Sequence, residues 1–259
     1  MTATALDRGA RERLRPTAPF PAQHPWDRNF FLGLVALIWL GILMGFVPQM
    51  VQHVTQNQRP YPLAVHLHAA AFVGWLVLLT TQVLLVRTRR LALHRKLGYG
   101  MVALGAVMLL VGPTAVWVVQ QQDFGTPKSN PAFLAVQGIA LISFLVVGGA
   151  GVLLRKSPSA HKRLMIIATL VLADAGFARW LGHPIGQAFG KGMWQSYLGL
   201  SGATALIIVG IGVYDLITRR RLAPAYVAGA SWALAGQALA CYLLFVPAWK
   251  VLATHLLGH

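Results

Sequence analysis

Nine histidines, six acidic residues and one cysteine are the groups in this 259-residue chain most able to do chemistry, and their placement is uneven. His66 and His68 stand just inside one end of an apolar stretch. That stretch runs on through Trp75 and Gln82 to a patch holding Arg87, Arg89 and Arg90. His94 and His161 each precede two cations, in His94-Arg95-Lys96-Leu97-Gly98 and in His161-Lys162-Arg163-Leu164-Met165. Asp174 is the one acidic residue deep inside an apolar stretch, and Arg179 and His183 follow it. Imidazoles ligate haem iron and transition metals, and carboxylates within a bilayer mark ion sites or proton relays.

Helical geometry sorts these groups. His66 and His68 are two positions apart, about 200° around a helix, so a regular helix cannot turn both to one ion. His68 shares a face with Phe72, Trp75, Leu79 and Gln82 and is the inward candidate. Asp174 and Arg179 point roughly 140° apart, which is poor geometry for a pair within one helix. Counted at helical rise, His66 and His68 lie roughly 6–9 Å below the outer boundary, and Asp174 lies about 16 Å beyond Arg163, near the bilayer middle. One expected site is therefore an outer-half group of His66, His68, Asp174, Arg179 and His183, with Gln137 at similar depth; His66, His68, Asp174 and His183 would be its metal ligands. A second group, His94, His161 and Asp215, falls at the inner boundary. There Asp215 would orient an imidazole, unless the two histidines simply cap helices and meet lipid headgroups. Asp174, Arg179 and Asp215 are the expected charge or proton relay. His24, His53, His255 and His259 lie in or near loops and tails, and Cys241, alone, forms no disulfide and reads as a small packing residue.

The elements that must hold these groups are membrane helices. The chain is 56% hydrophobic and 11% charged, and apolar runs of about 20 residues, each long enough to span a bilayer, alternate with short polar loops. The expected fold is an all-α polytopic bundle with seven spans, near 29–50, 63–86, 97–119, 131–154, 162–182, 197–217 and 225–247. Residues 1–28 form a flexible basic tail without a signal-peptide pattern, and residues 29–259 form a single embedded domain. Asn130-Pro131, Ser157-Pro158 and Pro62 mark helix starts, and Pro113 predicts a kink.

The net charge of +16 could suggest nucleic acid, but the cations cluster in alternate loops and have a topological explanation. The tail (Arg8, Arg11, Arg13, Arg15, Arg28) and the loops around Arg87–Lys96, Arg155–Arg163 and Arg219–Arg221 hold most of them. The opposite side holds only Arg59, Lys128, Arg179, Lys191 and Lys250. The positive-inside rule then puts the N-terminus in the cytoplasm and the C-terminus outside, with anionic headgroups as the partner of the basic face. The two histidine-cation-cation-leucine segments also suggest that spans two–three and four–five are copies of one hairpin. The glycines at 148, 149 and 151, with those at 98, 100, 105 and 112, would allow close helix packing or docking of partner subunits.

Taken together, His66-x-His68, the Trp75/Gln82 helix, His94-Arg95-Lys96-Leu97-Gly98 and His161-Lys162-Arg163-Leu164-Met165 resemble a family of uncharacterised bacterial multi-span integral membrane proteins. The resemblance covers about spans two to five. It implies a helical bundle in a bacterial inner membrane and flags the same histidines without assigning them roles. Three functions stay open at this point. The first is a haem b protein using His66, His68, His94 or His161 in a redox or respiratory setting. The second is a non-haem transition-metal site. The third is a cofactor-free accessory subunit, within a homo-oligomer or larger complex, or a carrier using Asp174. No nucleic-acid role is expected.

Overall fold

The computed structural model describes residues 20–258 and has no strand among them. Helix α1 spans Asp27–Thr55, α2 Leu63–Arg87 and α3 Leu91–Asp123. A 3-10 turn at Pro131–Phe133 leads into α4, Leu134–Leu153, and α5 runs Pro158–Ala188. A short α6, Met193–Tyr197, continues through a π-helical turn, Leu198–Gly202, into α7, Ala203–Arg219. α8, Pro224–Leu243, and α9, Pro247–Leu256, follow.

Proline supplies much of this punctuation, because its missing N–H costs nothing in the first helical turn. Pro158, Pro224 and Pro247 each open a helix; Pro62 instead occupies the position before α2, and Pro131 opens the 3-10 turn. Pro113 does not end α3, which continues as one helix to Asp123. Among the described residues, six helical stretches are long and apolar enough to cross a membrane. The seventh differs from the expected uninterrupted span over 225–247: α8 and α9 meet at a 91° bend. Pro247 disfavours helix in the residue before it, which accounts for the break. α9 then lies against the 3-10 turn before α4, with the Trp249 indole donating to the Ala132 carbonyl at 2.9 Å. The Gln121 side-chain amide also donates to the Leu257 carbonyl.

α5 is the central helix. Every residue from Arg163 to Val171 is buried, the pattern of a helix surrounded on all sides. α1 crosses it closely at glycines: a Cβ on Gly45 would overlap the Gly176 carbonyl, and one on Gly176 would stand 2.8 Å from the Gly41 carbonyl oxygen. The glycines singled out from sequence divide. Gly148 and Gly151 pack on Ala168, Leu164 and Met165 of α5, whereas Gly100 and Gly149 face open space. The α2–α3 hairpin is tied to this centre through tryptophans. Trp39 donates to Thr80 at 2.9 Å and Trp75 to Thr169 at 3.1 Å, and the Trp75 ring meets Phe144 edge-on.

The described part of the tail, from residue 20 to residue 28, is not loose. Residues 20–28 pack over one end of the bundle: Lys162 donates to the Ala22 carbonyl at 3.0 Å, and the Phe20 ring lies beneath the Arg163 and Arg219 guanidiniums. Helix α1 begins within the stretch assigned to the tail because Asp27 anchors it there. Residues 1–19, with Arg8, Arg11, Arg13 and Arg15, and residue 259 lie outside the described residues.

Candidate functional site

Three polar centres arise from this arrangement, where the sequence suggested two. Two share the end of the bundle that carries the basic loops. There the hairpins α2–α3 and α4–α5 present equivalent histidines, His94 and His161, each the fourth residue of its hairpin's second helix. Each backbone N–H bonds the carbonyl of the preceding cap residue, Arg90 at 3.0 Å and Ser157 at 2.9 Å. Neither imidazole caps its helix; the His161 ring bonds the Gly151 carbonyl and the His94 ring the Gln82 backbone. They meet with centroids 6.2 Å apart and planes at 89°. His161 is held in place: a carbonyl can only accept, so its Nδ1–H donates to the Gly151 carbonyl at 2.8 Å. The Nδ1 of His94 is buried with no hydrogen-bond partner, and so is the Oε1 of Gln82.

Asp215 does not join this pair, contrary to the expectation that it would orient a ring. It is wholly buried and accepts from Arg163, also wholly buried: Nε to Oδ2 at 2.7 Å, with Nη2 on Oδ1. The third donor of Arg163, Nη1, reaches the Ser159 carbonyl at 2.7 Å. Arg219 bridges Asp215, at 3.5 Å, to Asp27, at 2.7 Å, and Asp27 also accepts from Lys162 at 2.6 Å and from the Tyr214 hydroxyl at 2.7 Å. The two cations after His161 are therefore the bolts that fasten α5 to α7 and α1. A buried guanidinium needs such partners because an unpaired charge in this setting costs several kcal/mol.

The third centre surrounds Asp174, midway along α5. Its carboxylate has no cationic partner among the described residues. It accepts from the Ser201 hydroxyl at 2.9 Å, from the Thr204 hydroxyl, and from the Gln237 amide at 3.0 and 3.2 Å. The π-helical turn supplies Ser201, and the first turn of α7 supplies Thr204; wide turns of this kind recur where a helix must present polar groups. Arg179 points elsewhere, as helical angles require. It donates to Gln49 at 3.0 Å and to the Ala175 carbonyl, and lies over the Phe46 ring.

The remaining residues of the expected outer-half group are dispersed. His68 is half-buried against Phe72 with its Nδ1 unpartnered. His66 is exposed and donates back to Pro62 at 3.1 Å. His183 is exposed beside Gln187, and the Gln137 Oε1 is buried without a partner. His66, His68, Asp174 and His183 are thus not gathered into one metal set, and the relay of Asp174, Arg179 and Asp215 is divided between separate centres. Among the described residues no group of three or more His, Cys, Asp or Glu is placed to hold a metal. Near His66, the ring of His53 stacks on Tyr61 at 4.0 Å, beside an open cavity of about 330 Å³.

Sequence reasoning passed over Ser201, Thr204, Gln237 and Asp27. Two signals could have found them. Polar side chains in apolar spans must find a partner, and Asp174 was the obvious one; likewise, Asp27 and Asp215 are scarce acids beside many cations. The chain matches no family model, no curated protein and no solved structure.

Proposed function

We propose that this chain is a haem-binding redox protein of a bacterial inner membrane, in which His94 and His161 would hold the iron at the cytoplasmic face. The observation that carries this reading is the 6.2 Å separation of the two rings. Two imidazoles on opposite sides of one metal, each bonded at about 2.0–2.1 Å, place their ring centres roughly 6 Å apart. Haem needs only two protein ligands, whereas bare zinc or non-haem iron sites take three or more. The donor chemistry also agrees. The Gly151 carbonyl fixes the His161 tautomer, the outer-shell bond typical of ligating histidines. The orphaned Nδ1 of His94 is a buried polar atom for which the surrounding protein provides no partner. Arg95 and Lys96, exposed one and two residues after His94, are suited to carboxylate side chains such as haem propionates.

Bound iron would supply one-electron transfer; the protein holds the two imidazoles, sets one tautomer and neutralises acidic groups. The loops bearing Arg89, Arg90, Arg155 and Lys156 are exposed at the same end and suit anionic headgroups. Titrating haem into the purified, detergent-solubilised full chain tests the reading. One haem per chain with a sharp Soret band is expected. A titration without saturation at one equivalent would overturn it.

A further inference from the structure

We infer that the pocket beside Asp174 is a binding site for a single sodium ion, independent of the histidine pair. A cavity of about 10 Å³ lies where α4, α5, the π-helical turn and α8 meet, at the lower limit for one water-sized occupant. Asp174, Ser201, Gln237 and Ser143 contribute its polar wall. Gln237 is 5% exposed; its Nε2 donates to Asp174, and its Oε1 is buried with no partner. That oxygen needs a donor or a cation, and no described protein group supplies one.

The donor set selects the ion class. Carboxylate, hydroxyl and amide oxygens, with no imidazole or thiolate, suit a hard cation. Charge selects further: Asp174 carries the only formal charge, and a monovalent cation leaves the buried site neutral, whereas a divalent ion leaves a net charge in apolar surroundings. The hydroxyls are suited to the change. Thr204 has a single hydroxyl hydrogen but two acceptors, Asp174 Oδ1 and the Ser201 carbonyl at 2.9 Å. When a cation takes Oδ1, that hydrogen can be kept by the Ser201 carbonyl. Helices interrupted near the membrane middle commonly form such sites, and the π-helical turn puts the interruption beside Asp174.

The test is thermal unfolding of the full-length protein in detergent, followed by tryptophan fluorescence, in sodium, potassium or choline chloride at equal ionic strength. A ligand that binds only the folded state raises Tm in a saturable way. Sodium should raise Tm saturably over potassium and choline, and Asp174→Asn should abolish that rise. Gln237→Ala and Ser143→Ala should raise the half-saturating sodium concentration about tenfold, the loss of one buried ligand. Should Asp174→Asn fail to fold, the Gln237→Ala and Ser143→Ala titrations decide alone. Equal Tm in the three salts, a shift set by pH alone, or unchanged sodium titrations in the variants would each overturn the inference.

Discussion

Arg163 has its charged end in a fully buried position, an arrangement that persists only because each of its three guanidinium nitrogens has an acceptor. Asp215 takes two of its bonds and the Ser159 carbonyl a third. Removing one member of such a pair leaves an uncompensated charge, at a cost of about 3–5 kcal/mol, while replacing both with apolar residues costs far less. Asp215→Ala should therefore lower the thermal midpoint sharply, and the double variant Arg163→Met/Asp215→Leu should recover most of that loss. Additive losses in the two single variants and the double would contradict the pairing. Trp75→Phe is a milder case. It removes one hydrogen bond to Thr169, whose hydroxyl keeps the Met165 carbonyl at 2.9 Å, so a loss of about 1 kcal/mol is expected from unfolding curves. At this scale the sequence was a partial guide. The matching segments of His94 and His161 offered their meeting as one of two readings, beside helix capping and headgroup contact, and the separation of Asp174 from Arg179 followed from helical angles. The partners of Asp174 and Asp215 come from helices distant in sequence, and no local spacing encodes them.

Among the helices, the crossing of α1 over α5 is the tightest contact and depends on the absence of side chains. A Cβ at Gly45 would overlap the backbone of Gly176, so the two helices would have to separate. Gly45→Val or Gly176→Val should cost about 1–3 kcal/mol or more through overpacking, whereas Gly100→Val, facing open space, should leave the midpoint nearly unchanged. Similar losses in all three variants would show that the crossing is not the sensitive element. Helix positions were the most legible part of the chain, because apolar length and proline punctuation act locally. The bend between α8 and α9 was less so: its residues remain apolar across the break, and only Pro247 marks it. The glycine crossing did carry a signal that sequence reading passed over: Gly41 and Gly45 are four residues apart in an apolar run, the spacing of close helix crossings, whereas their partner Gly176 stands alone.

For the whole molecule, the paired hairpins and their basic end define one working face. The basic loops predict that this face is cytoplasmic. Reporter fusions check it: an alkaline phosphatase inserted after Gly125 should be active, and one inserted after Arg221 should not. The central claim, that His94 and His161 together hold haem iron, is tested most directly by absorption spectra of purified wild type, His94→Ala, His161→Ala and His66→Ala, each produced with ample haem. A Soret band with sharp reduced α and β bands is expected in wild type and in His66→Ala, and its loss in either of the other two. A colourless wild type, or bands unchanged in both His94→Ala and His161→Ala, would contradict the account.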